Sequence, residues 1–331
     1  MREEQVILAV KDLIEPKLKW TVGDLNLVRN VVIDEETNTL RLTINLITGD
    51  EAEKALFRKQ AEACLAPLGF KRITLNLEKI DVARHGIANV GKIIVVSSGK
   101  GGVGKSTVAV NIAASLAKKG YRTGLMDADI YGPSAPFLLG TDERPQVLDD
   151  EVLNPVTAHG ISSISIGLLV PRETALSWRG QLVSGTILQF IRKVNWGRLD
   201  YLIIDMPPGT GDIQLTLAHE LKVTGVVVVT IPQNVVIGDV LRSITLYKEK
   251  ETPIIGVVEN MVSYCCEECG HVQSIFSGAK DAYGGADIIT SLPLDRDLWE
   301  SSDKGVPYVL TKSGTPITRA FDAIVKKLEA L

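Results

Sequence analysis

I-I-V-V-S-S-G-K-G-G-V-G-K-S-T, from Ile93 to Thr107, decides the fold of this chain. An apolar run of strand type, Ile93–Ser97, enters a glycine-rich loop of the form G-x-x-x-x-G-K-[ST]. Lys105 then opens a helical pattern with Val108, Ile112, Ala113 and Leu116 on one face. Strand, loop and helix in that order make a cradle for a nucleoside triphosphate: glycines turn backbone N–H groups inward and the helix N-terminus faces the phosphates. The spacing therefore predicts an ATP site along Gly99, Lys100, Gly101, Gly102, Val103, Gly104, Lys105, Ser106 and Thr107. Lys105 bridges the β- and γ-phosphates in this reading, and the Ser106 hydroxyl ligates Mg²⁺. Lys100 is not required by the pattern. A second cation beside the phosphates points to hydrolysis that depends on what is bound next to the site.

Working outward, the chain from Lys92 onward carries short, nearly continuous apolar runs, among them Y-L-I-I, G-V-V-V-V and I-I-G-V-V, with helical stretches such as Lys105–Lys119 and Val183–Val194 between them. Strands buried on both faces read this way, so the expected fold class is α/β, a doubly wound, mostly parallel sheet over residues 92–331. Ligands bind such sheets at the carboxyl ends of strands. Thr123–Met126 ends in Asp127 and Asp129, and Tyr201–Ile204 ends in Asp205 and the loop M-P-P-G-T-G-D. Asp127 and Asp129 are two carboxylates able to hold the metal's water shell and orient an attacking water, and Asp205 is expected as the second metal-shell acid. Helix capping or solvated turn acids are the alternative for Asp127 and Asp129.

Before residue 85 the pattern differs. A helix over 3–19, strands at Leu25–Ile33 and Leu40–Ile47, a helix over Glu51–Ala66 and a strand at Ile73–Ile80 predict a small α-β-β-α-β domain, residues 1–84, joined by a linker at 85–91. There are 36 basic and 40 acidic residues, a net charge of -4, and no basic run, so no nucleic-acid partner is expected. The N-terminus has acids before a short apolar stretch, unlike a leader peptide, and no apolar run is long enough to span a membrane. A cytoplasmic protein without a membrane partner is the expectation. The tail, with Ile317, Phe321, Ile324 and Leu328 at helical spacing, is expected to pack on the sheet.

Four cysteines do not make a disulfide framework in a chain of 331 residues. Cys266 and Cys269 form a C-x-x-C pair followed by Gly270, a spacing that lets two thiolates hold one metal or one cluster edge. Two ligands per chain complete a four-thiolate site only when two chains each contribute a pair. Iron–sulfur cluster and zinc both suit such ligands. Cys265 reads as a bystander or a substitute ligand, His271 as structural, and Cys64 as a core residue.

These motifs, together with M-D-A-D-I-Y-G-P-S-A-P, W-R-G at Trp178–Gly180 and G-V-V-E-N-M, resemble the Mrp/ApbC family over about residues 90–331. That family consists of P-loop ATPases related to MinD and ParA that act as iron–sulfur cluster carriers. The resemblance implies that Lys100 is the signature lysine reaching the partner subunit's phosphates, that Asp127 is a metal-shell acid and Asp129 orients the water, with Lys100, Lys105 and Asp129 as the catalytic set. It implies further that Asn260 reads the adenine and that Cys266 and Cys269 share a [4Fe–4S] cluster across a homodimer. It also implies apo iron–sulfur client proteins and cluster donors as partners. The N-terminal unit resembles the small domain often fused to bacterial members, but T-G-D-E-A-E stands where that domain usually has a cysteine. Glu267 and Glu268 replace the Pro and His often found in the pair. A ParA/MinD-like positioning ATPase, or an ATPase with a structural zinc site, is the alternative.

Overall fold

A computed structural model describes residues 2–16, 21–23, 27–35, 37–46, 50–79, 87, 89–147, 152–170, 180–211, 213–214, 217, 221–276 and 282–331. Trp178, Arg179 and residues 85, 86 and 88 of the expected linker lie outside these residues.

The N-terminal part forms helix α1 (Arg2–Val10), strands β1 (Val28–Asp34) and β2 (Thr39–Leu46), helix α2 (Glu51–Leu65) and strand β3 (Arg72–Lys79). The order across the sheet is β1-β2-β3, with β1 antiparallel and β3 parallel to β2. A parallel neighbour requires a crossover, and α2 supplies it. That helix starts where Asp50 accepts hydrogen bonds from the backbone N–H groups of Ala52 and Glu53, both 2.9 Å, the usual work of an N-cap aspartate. Phe57, Ala61 and Leu65, at i, i+4 and i+8, bury against Leu40, Leu42 and Ile44. The first helix is shorter than the expected 3–19. The backbone past Val10 pairs instead with residues 21–23: Val22 donates to Leu13 O at 2.7 Å and Gly23 to Lys11 O at 2.7 Å. Pro16, which could not donate within a continuing helix, lies just beyond. Cys64 is half-buried at the edge of this core, not within it.

The second sheet has eight strands in the order β13-β10-β9-β4-β8-β5-β7-β6. In chain order these are β4 (Val90–Ser97), β5 (Thr123–Asp127), β6 (Val156–Ala158), β7 (Ile161–Ser165), β8 (Leu199–Asp205), β9 (Gly225–Thr230), β10 (Ile254–Glu259) and β13 (Ile288–Ser291), with β11 (Ser263–Cys265) and β12 (Val272–Ser274) forming a separate hairpin. All pairs in the large sheet are parallel except β6 with β7 at the edge. Helices α3 (Lys105–Lys118), α4 (Ala135–Leu138), α5 (Gly180–Lys193), α6 (Asn234–Glu249), α7 (Arg296–Asp303), α8 (Tyr308–Thr311) and α9 (Pro316–Glu329) accompany it. The central strands β4, β8 and β9 are buried apolar runs, which is why their sequence shows no alternation.

The tail helix α9 buries Ile317, Phe321, Ile324, Val325 and Leu328 in the same core. Its C-terminal end is tied down by Lys92, whose ammonium donates to Leu328 O at 3.0 Å, and by Lys119, which donates to Glu329 Oε1 at 2.9 Å. Among the described residues, no helix is long and apolar enough to cross a membrane.

Candidate functional site

The carboxyl ends of β4, β5, β8 and β10 meet at one place, and the predicted site residues meet there with them. The phosphate loop leaves β4 at Ser97 and enters α3 at Lys105. Gly102 and Gly104 adopt φ of +80° and +83°, the left-handed region where side chains are strained. A Cβ on Gly104 would also collide with the Asn260 amide nitrogen. Gly99 is required for another reason: a Cβ there would lie 2.6 Å from the backbone of Asp239 and Val240 on α6.

Lys105 is buried and ion-pairs with Asp205 Oδ1, while its ammonium also lies 3.2 Å from Ser106 Oγ. Burial pushes the Asp205 carboxyl up, and the Lys105 charge opposes it. Asp205 Oδ2 is buried without a hydrogen-bond partner. An orphaned carboxylate oxygen of this kind is costly unless a cation or water meets it. Ser106 and Asp205 are thus a fitting donor pair for Mg²⁺, a hard ion that takes oxygen ligands and keeps much of its water.

Asp127 pairs in register with Asp205 on the neighbouring strand. Both of its oxygens are engaged: Oδ1 accepts from Asp129 N at 3.1 Å, and Oδ2 from Ala135 N at 3.1 Å and Ser165 Oγ at 3.0 Å. Burial, and then the Asp205 charge, push its carboxyl up to about 7, against the pull of the Ala135 N–H and the Ser165 hydroxyl. In this arrangement Asp127 holds the turn that carries Asp129. Asp129 in turn accepts from Gly132 N at 3.2 Å and lines a cleft of about 340 Å³ with Tyr131, Pro207, Pro208 and Gln214.

Two residues that sequence reasoning did not single out complete the surroundings. Gln214 is buried and donates to Pro207 O at 3.0 Å and Gly209 O at 2.9 Å, fixing the proline loop after β8. Asp239 on α6 accepts an ion pair from Lys100 at 3.1 Å and another from Arg242. Lys100 is therefore held within its own chain. Gln214 acts on backbone carbonyls five and seven residues before it, which no motif announces, and Asp239 lies far along the chain from the Lys100 it holds.

Asn260, just past β10, is brought to the loop. Its side chain donates to Val103 O at 2.9 Å, which holds the phosphate loop, and accepts from Met261 N of its own turn at 3.0 Å. Glu259 beside it is anchored by Tyr283 and Ser291, each 2.9 Å away.

The cysteines lie on the β11–β12 hairpin. Cys266 N donates to His271 O at 2.9 Å and Gly270 N to Cys266 O at 2.8 Å, and Gly270 takes φ +70°. The tight turn aims the N–H groups of Cys269 and Glu268 at the Cys266 sulfur, which hold its thiol below the usual cysteine range. A thiolate stabilised this way is a ready soft-metal ligand. Cys265 lies outside the turn, with its sulfur 3.6 Å from Gly270 O. His271 contributes its backbone carbonyl, in keeping with a structural part. Cys64 lies on α2 of the N-terminal part.

Residues 89–329 match the family described as NUBPL iron-transfer P-loop NTPase, of ParA type. The chain is 38% identical to the iron-sulfur cluster carrier protein of Haemophilus influenzae across 99% of this chain and 91% of that one. Its fold is similar to a nucleotide-binding protein from Archaeoglobus fulgidus in complex with ADP, at 38% identity and TM-score 0.60 over 69% of this chain and 91% of that one. It is also similar in fold to the cell division ATPase MinD of Pyrococcus furiosus, at 21% identity and TM-score 0.54 over 72% and 99% of the two chains.

Proposed function

The chain belongs to the NUBPL iron-transfer family of P-loop NTPases, and on that premise we propose that it is an ATPase whose homodimer carries a [4Fe–4S] cluster to apo-proteins. The observation that carries this reading is the Cys266–Cys269 turn, a thiol pair preorganised by backbone N–H groups on an exposed hairpin. Among the described residues, no set of three or more His, Cys, Asp and Glu is grouped to hold a metal within one chain. A four-thiolate site thus takes its second pair from another copy, with donors and apo clients as transient partners. Free thiols on the surface fit a reducing compartment such as the cytoplasm.

ATP is proposed to lie along Gly99–Thr107, with Asn260 offering its remaining amide valences to the base. Mg²⁺ at Ser106 and Asp205 neutralises charge on the phosphates. Lys105 exchanges Asp205 for the β- and γ-phosphates, and Lys100 leaves Asp239 for the phosphates of the partner subunit. Asp129 orients the water for in-line attack, in a cleft that Gln214 and the proline loop keep in shape. Two separate buried clusters support a division into a small unit at 1–84 and an ATPase unit, with β4 already beginning at Val90, inside the stretch 85–91 expected as a linker.

Anaerobic reconstitution with iron and sulfide tests the carrier reading. Wild type is expected to take up a cluster, seen by absorbance and iron counting, and to hand it to an apo-protein; Cys266→Ala/Cys269→Ala is expected to take up none. Equal uptake by both would sink the reading. The thiol turn suits zinc as well, and a chain that binds zinc but no iron and sulfide would convert the hairpin into a structural site.

A further inference from the structure

A cleft of about 480 Å³ runs beside the thiol hairpin, and its charge is lopsided. Cys265, Cys266, Glu267, Asp295 and Asp297 line it, and among the described lining residues Arg296 is the sole cation. The nearby Lys312 is already paired with Asp297 at 2.9 Å. Glu267 and Glu268 stand between the two thiols, so every copy adds two acids to the place where cargo is held. A [4Fe–4S] cluster with four thiolates is itself anionic, and acids in this position work against its retention.

Arg296 is placed to answer that charge. It opens α7, behind the cap formed when Asp295 accepts from Leu298 N at 2.9 Å. Its Nε donates to Glu300 Oε1 at 2.8 Å, which fixes the stem of the guanidinium. Its Nη1 reaches Glu267 Oε2 at 3.8 Å, an ion pair too long for a good hydrogen bond. The head is therefore anchored through one donor and loosely committed through another. A guanidinium has five donors in a fixed fork, which leaves it capable of meeting a second anion without giving up Glu300.

Resting on the carrier reading above, we propose that Arg296 is the cargo-retention residue. Its guanidinium exchanges Glu267 for the thiolate-bound cluster, and Glu267 competes for it and so favours release. The cluster is substrate here, and Arg296 acts on it by charge and N–H donation alone.

The test uses the full chain in two arms. In the loaded protein, cluster loss to a ferrous chelator is followed by absorbance: Arg296→Gln is expected to speed loss about five- to twentyfold, Arg296→Lys to fall between, and Glu267→Gln to slow loss several-fold, with the differences shrinking as salt rises. In the unloaded protein, alkylation of Cys266 by anionic iodoacetate is compared with neutral iodoacetamide by mass spectrometry. Arg296→Gln is expected to lower that ratio about threefold and Glu267→Gln to raise it. Equal release rates in wild type and Arg296→Gln, or an alkylation ratio indifferent to Arg296, would overturn the proposal. Wild type that takes up no cluster brings down the carrier reading, while the alkylation arm still decides separately whether Arg296 governs anions at the thiols.

Discussion

Met261 and Val262 are all that separates Asn260, which holds the phosphate loop, from β11, which opens the thiol hairpin. The two regions are nonetheless built by opposite means. The phosphate loop is enclosed: Lys105, Asp127 and Asp205 are buried, the two aspartates end adjacent strands, and Gly99, Gly102 and Gly104 resist a side chain. The hairpin is an outpost of three-residue strands, with Cys265 and Cys269 exposed and every residue of β12 on the surface. A site that must bind phosphates in a fixed geometry gains from burial, because charge interactions strengthen where water is excluded. On the proposed reading, the hairpin shares its cargo with a second chain and then gives it up, which needs reach and exposure instead.

Removing Lys105 strikes the enclosed region hardest. Lys105→Ala is expected to lower ATP turnover roughly 100-fold or more, measured as phosphate release. It should also leave Asp205 without its buried counter-charge, while iron and sulfide uptake at the hairpin continues. Loss of uptake would break the contrast, since the two regions would then fold as one unit.

The buried acids sharpen the same contrast through pH. Asp127 has its carboxyl raised from 3.8 to about 7, so the folded chain holds a proton that the unfolded chain releases. The stability this confers is complete below 3.8 and is lost as pH rises through 7. Denaturation of wild type and Asp127→Asn between pH 4 and 8 should show wild type losing ground to the variant by an amount on the order of 4 kcal/mol. Mg²⁺ with nucleotide should flatten that slope by supplying positive charge beside Asp205. A slope unchanged by Asp127→Asn would assign the pH response elsewhere.

Much of the enclosed region was legible because its demands are local. A left-handed glycine, a loop lysine and an acid ending an apolar strand each leave a mark in consecutive residues. The C-x-x-C-G turn was legible for the same reason. What the sequence concealed is pairwise and remote. Lys100 meets Asp239, and Arg296 faces Glu267. Helical periodicity likewise carried the first helix too far, because it registers the spacing of Leu13 and Ile14 but not the competing bonds from residues 21–23.

The Lys100–Asp239 pair lies at the rim of the enclosed region and predicts a smaller effect. Asp239→Asn frees the lysine without touching phosphate, so turnover at limiting protein concentration is expected to rise about two- to fivefold, the modest scale of a partly exposed ion pair. A fall in turnover would mean that Asp239 does more than hold Lys100 between cycles.

The smallest effect is expected at the hairpin itself. Cys266 contributes to its turn through backbone bonds, Cys266 N to His271 O and Gly270 N to Cys266 O, and these survive truncation of the side chain. Its sulfur lies outside the buried core of the ATPase unit. Cys266→Ala should therefore shift the thermal midpoint of the unloaded protein by no more than about 1–2 °C. The same substitution removes a ligand that the proposed cargo cannot do without. That pairing of negligible structural cost with complete functional loss is the signature of a residue kept for what it holds, whereas Lys105 and Asp205 serve fold and chemistry together. A large drop in the midpoint would place Cys266 among the structural residues and return the hairpin to the fold.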